Sequence, residues 1–110
     1  MMEIQEVCFH LRNRRRMHLL DDRFSTMVAF VEGFSTAVGG SPLSGFQDWA
    51  CERILGTRSS IHWAYVIAST RVPDILDGKR PIDRIPHEVE ADLADLTLDL
   101  VEEFSNRPAG

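Results

Sequence analysis

Apolar residues recur along this chain at steps of three and four, the spacing that lines up side chains on one stripe of an α-helix. Ile4, Val7, Cys8 and Leu11 begin the pattern and predict a first helix that fades near Arg16. Phe24, Met27, Val28, Val31, Phe34 and Val38 predict a second, capped by Asp21 or Asp22 and ended by Gly39 and Gly40. A third opens at Ser41-Pro42, or at Ser44 with Gln47 three residues on, and carries Leu43, Phe46, Trp49, Ala50, Ile54 and Leu55 before Gly56 closes it.

In "TRSSIHWAYVIASTRVP" a serine cap precedes Ile61, Ala64, Tyr65, Ile67 and Ala68. The β-branched "VIAST" allows a strand there, but caps and length favour a fourth helix, stopped by Pro73. Pro73 to Pro86 holds three prolines and Gly78 and predicts a structured loop, with one helical turn at Asp74 to Leu76. The last helix, His87 to Phe104, turns Val89, Leu93, Leu96, Leu100 and Phe104 inward and leaves Glu90, Asp92, Asp95, Asp99, Glu102 and Glu103 outward. With no alternating strand run and no repeat, the expectation is an all-α fold. It is one compact bundle of about five helices over residues 1–110, with 105–110 as a frayed tail.

Composition agrees with a packed core: 44% of the residues are apolar, with six Phe and two Trp among them. No apolar run approaches the roughly 18 residues that span a bilayer, and the acidic-then-basic start is unlike a secretory signal. Cys8 and Cys51 are too few to suggest a disulfide framework, so a cytoplasmic setting is expected.

The net charge of −5 is uneven, with −1 in residues 1–55 and −4 in residues 56–110. This works against non-specific nucleic-acid binding unless cations cluster. Arg12, Arg14, Arg15 and Arg16 do cluster, followed by Asp21 and Asp22, and the pattern reads first as one helix ending in cations and its successor beginning in anions. Arg12, Arg15 and Arg16, with His18 and Arg23 near them, could also hold phosphate or a partner's carboxylates. Phe46 to Leu55, "GTRSS" and Ile61 to Thr70 have the lengths of a DNA-binding helix-turn-helix. The second helix, however, offers only His62, Tyr65, Ser69 and Arg71 to a groove.

Reactive constellations are missing. His10, His18, His62 and His87 have no i, i+4 pair, so no metal site and no cofactor are expected. Cys8 and Cys51 read as buried thiols, Glu32 and Glu52 as ordinary helix glutamates, and Trp49 and Trp63 as core. The chain has no nucleophile elbow, P-loop or dinucleotide fingerprint, and no enzyme activity is expected.

"RRRMHLL", "FSTMVAFVEGF", "GGSPLSGFQDW" and "HWAYVI", within Arg14 to Ile67, resemble a diffuse set of small uncharacterised bacterial proteins. These carry an R-P-x-M-Y-L-G-like opening, an aromatic-rich helix ending in G-[FY], and a G-F-x-x-W helix. This chain has Arg16 where that opening has proline or glycine, and His18 in place of the tyrosine. Proteins of this style resemble immunity or accessory components of toxin systems. An acidic compact body without a reactive constellation leads to the expectation of a protein-binding module that occludes or regulates a partner, and the resemblance implies its most concrete form, toxin neutralisation. A DNA-binding helix-turn-helix regulator is the alternative. The expected partner is a protein with a basic surface, with a homodimer as a further option, nucleic acid less favoured and no membrane. The expected contacts are Asp92, Asp95, Asp99, Glu102 and Glu103, with Arg15 and Arg16 as a second patch.

Overall fold

A computed structural model describes residues 2–78 and 80–108. Among these residues six α-helices form: α1 (Ile4–Asn13), α2 (Arg15–His18), α3 (Phe24–Ala37), α4 (Phe46–Leu55), α5 (Trp63–Ala68) and α6 (His87–Ser105). Three 3-10 turns, Ser41–Leu43, Pro73–Asp77 and Ile82–Arg84, lie between them, and no strand occurs among the described residues. The all-α bundle therefore stands, and the strand option for "VIAST" does not. Ala109 and Gly110 of the expected tail fall outside the described residues.

The first helix does not run to Arg16. Its buried stripe ends at Leu11, and α2 buries no residue at all, so nothing holds the chain on the helical path. At Arg14 the backbone leaves it (φ −140°, ψ 40°) and makes an elbow. Side chains take over the terminal carbonyls: Asn13 Nδ2 donates to Phe9 O (2.8 Å) and Arg15 Nε to Leu11 O (3.0 Å).

Caps differ from expectation because they come from far along the chain. Asp21 Oδ1 accepts from Arg23 N (2.9 Å), but the first amide of α3, Phe24 N, donates to Glu90 Oε2 (2.7 Å) of α6. Glu90, expected outward, is thus only 3% exposed. Asp22 pairs instead with Arg16.

The α4 start lies at Gly45, whose φ of +84° suits only glycine, and no Ser44–Gln47 capping box forms. Gln47 reaches the next loop: Nε2 donates to Ile61 O (2.6 Å) and Oε1 accepts from Trp63 N (2.8 Å). Helix α5 starts two residues later than the pattern suggested, capped by His62 Nδ1 rather than a serine. The proline-rich segment holds a second turn, Ile82–Arg84, that was not foreseen, and it sends Ile75 and Ile85 into the core.

The backbone spans 39 × 35 × 19 Å, about two helices deep. Helix α6 contacts α1, α3, α4 and α5 and buries Leu93, Ala94, Thr97, Leu98, Val101 and Phe104. Leu93, Leu100 and Phe104 are buried as expected, whereas Val89 and Leu96 are half-buried because the stripe also takes in Glu90, Ala94, Thr97, Leu98 and Val101 beside them. Phe46 anchors an aromatic cluster with ring centroids 5.8 Å from Trp49, 5.1 Å from Trp63 and 5.3 Å from Phe104, so both tryptophans pack with the core.

Candidate functional site

The acids expected to meet a partner already meet the chain's own arginines. Arg12 holds Asp99 (2.6 Å) and Glu102 (3.1 Å), and Arg15 holds Asp95 (2.8 Å). Arg53 holds Glu103 (3.1 Å) and Arg71 holds Asp92 (2.6 Å). The two carboxylates push the Arg12 guanidinium still further toward its charged form, chiefly through the Glu102 hydrogen bonds. Together with Gln5 donating to Ser105, these contacts run in reverse order along α1 and α6 and make them antiparallel. Acids near the C-terminal end of α6 oppose its dipole, and Arg12 and Arg53 account for Glu102 and Glu103 there.

The elbow carries part of the unpaired positive charge, Arg23, Arg84 and Arg107 being likewise outside any ion pair among the described residues. An open depression of about 550 Å³ is lined by the Arg12–Met17 run with Asp22 and Asp95. Arg14 has no ion-pair partner among the described residues, and the Arg16 side chain is 88% exposed beside Asp22 (3.2 Å). Among the described residues the exposed large apolar side chains are Met2 (43%), Phe9 (58%), Met17 (75%) and Leu20 (101%). In the sequence Met17 and Leu20 are indistinguishable from core material; only the bend at Arg14 turns them out.

Two polar clusters were not anticipated. Glu32 Oε1 accepts from Trp63 Nε1 (2.7 Å) and faces His62 Nε2 (3.0 Å). Because Ala64 N can only donate to His62 Nδ1, the ring is the Nε2–H tautomer, and both nitrogens are occupied. A general base needs a free lone pair, which His62 lacks. Glu90 is the other cluster, with Phe24 N on one oxygen and His87 Nδ1 (3.3 Å) near the other.

Cys8 and Cys51 are buried and unpaired, and burial pushes the Cys8 thiol up to about 11 and raises Cys51 as well. Among the described residues no group of three or more His, Cys, Asp or Glu is placed to hold a metal, and no helix is long and apolar enough to cross a membrane. Helix α5, the would-be reader of a helix-turn-helix, has six residues and buries five of them, Trp63, Ala64, Val66, Ile67 and Ala68. No protein-family model, curated protein or solved structure matches the chain.

Proposed function

We propose that this chain is a non-enzymatic protein-binding module that docks through the α1–α2 elbow, using Arg14 and Arg16 for charge and Met17 and Leu20 for apolar contact. The observation that carries this is exposed Met17 in the depression lined by the arginine run, with fully exposed Leu20 three residues on. Single exposed leucines are ordinary, but two exposed apolar side chains within six residues of Arg14, with Arg16 largely in solvent, are what a partner surface needs. The fitting partner presents an apolar anchor among carboxylates. The acidic strip of α6 serves first inside the chain: Asp95, Asp99 and Glu102 hold Arg12 and Arg15, Glu103 holds Arg53 of α4, and Asp92 holds Arg71. Neutralisation of a toxin is the most concrete version, resting on the resemblance of the elbow and the two aromatic helices. The shallow exposure of α5 favours protein over DNA as the partner.

The test is Arg16→Glu with Leu20→Asp, both at exposed positions, where stability should change by about 0.5 kcal/mol or less. A partner captured from the source cells is purified and its affinity measured against the wild type and this variant. At least a tenfold loss is expected, with Asp92→Lys/Glu103→Lys retaining affinity. Unchanged affinity in the elbow variant, or loss confined to the α6 variant, would overturn the assignment. So would salt-sensitive binding to duplex DNA or anionic vesicles that the elbow variant abolishes while protein capture is unaffected.

A further inference from the structure

Helix α1 has two faces of different kind. Ile4, Val7, Cys8 and Leu11 form the buried stripe, and half a turn round the axis Glu6, Phe9 and Asn13, spaced three and four apart, line the opposite face and are all exposed. Phe9 at its centre is 58% exposed, and its ring meets the His10 imidazole of the same helix edge-on at 5.5 Å. Arg12 and Asn13, three and four residues beyond Phe9, flank its line along the helix and lead into the depression that Arg14, Arg16 and exposed Met17 share.

The charges of this face are sorted by end. Glu3 and Glu6 stand at its start, where their carboxylates are engaged by the backbone amides of a capping box and by no cation among the described residues. Arg14, without an ion-pair partner, and largely exposed Arg16 stand at its finish. The helix dipole favours acids first and cations last, but it gives no reason for a phenylalanine in the middle and a methionine at the end to lie in solvent.

A surface that is acidic at one end, apolar in the middle and basic at the other is complementary to itself turned end for end. A two-fold axis through Phe9 sets the phenyl rings of two copies together and lays their α1 helices antiparallel. Glu6 lies three residues before Phe9 and Arg14 five after it, so the two stand offset by only about 3 Å along the axis, well within the reach of an arginine side chain. Parallel pairing sets acid on acid and arginine on arginine, which charge disfavours. Phe9 among Glu3 and Glu6 is also an apolar anchor among carboxylates, the chemistry that suits the elbow.

We propose that a second copy of this chain covers this face, paired antiparallel through α1 with Phe9 at the two-fold axis. The proposal rests on the elbow being a docking surface and names what covers it when no other protein does.

The test is sedimentation equilibrium of the full chain from about 1 μM to about 500 μM. One helix face and an elbow fall short of the roughly 1,200 Å² of a stable interface, so a reversible dimer, half formed at roughly 10–100 μM, is expected. Phe9→Ser should weaken it at least tenfold, as should Glu6→Arg or Arg14→Glu alone. Mixing the two charge variants should restore dimers, all of them mixed by native mass spectrometry, because glutamate then meets arginine only across unlike chains. The wild-type series and Phe9→Ser, at an exposed position, decide the matter even if a charge variant fails to fold. A wild-type chain monomeric throughout, a dimer indifferent to Phe9→Ser, or a mixture of folded charge variants no more dimeric than its components would overturn the proposal. A monomeric wild type whose captured partner still depends on Arg16 and Leu20 strikes self-pairing alone and leaves the elbow reading standing.

Discussion

Glu90 offers the sharpest test of how this fold is held. Its carboxylate accepts from Phe24 N at 2.7 Å, so a residue of α6 caps α3 across 66 positions of sequence, in a site only 3% exposed. Two effects compete when it becomes leucine. Removing a buried carboxylate relieves the cost of desolvating a charge, and adding an apolar side chain gains burial. Against this, Phe24 N is left buried without an acceptor, at about 1–3 kcal/mol, and the start of α3 loses a negative group that favours its dipole, worth about 0.3–1 kcal/mol.

Since the carboxylate is hydrogen-bonded at one oxygen and close to exposed His87 at the other, its desolvation is largely offset, and the lost cap prevails. Glu90→Leu should therefore cost about 2 kcal/mol, lowering the melting temperature by roughly 10 °C in a chain of this size. Glu90→Gln keeps an acceptor and should cost about 1 kcal/mol. Urea titration gives the free energies, and hydrogen exchange at the Phe24 amide should accelerate more in the leucine variant than exchange in the middle of α6. A leucine variant as stable as the wild type, or less damaging than glutamine, would refute the reasoning.

Arg12→Ala breaks the two-carboxylate clasp on α6 and should cost about 1 kcal/mol at low salt, with the difference shrinking in 1 M NaCl, as thermal melts would show. The His62 ring should give the nitrogen shifts of an Nε2–H tautomer, and His62→Ala should destabilise by about 1 kcal/mol through loss of the α5 cap. The Cys8 thiol has a folded value of about 11 against an ordinary 9.0, so the unfolded chain releases its proton first as pH rises. That contribution to stability is whole below pH 9.0 and falls away toward pH 11, and iodoacetamide at neutral pH should modify Cys8 only after unfolding.

The sequence made α1, α3, α4 and α6 legible because their apolar stripes are local patterns that only one face of a helix satisfies. What it hid was settled at a distance. Glu90 and Gln47 cap or clamp backbone 66 and 16 positions away, and no nearby signal marks them for that work. The arginine run was visible as charge, yet whether Arg12 and Arg15 were free depended on Asp95, Asp99 and Glu102, some 80 to 90 positions later. The elbow itself could be read only as a fading helix. Its bend comes from an absence of anything to bury between Leu11 and Leu19, and that same absence exposes Met17.

The antiparallel clasp of α1 on α6 also orders events during synthesis. Helix α1 is synthesised before α6, its principal support, so Arg12 and Arg15 wait with their charges unanswered until the residues of α6 have been translated. A nascent chain stalled before Asp95 would keep α1 loose and its greasy stripe within reach of chaperones, and completion of α6 would be the step that locks the molecule shut.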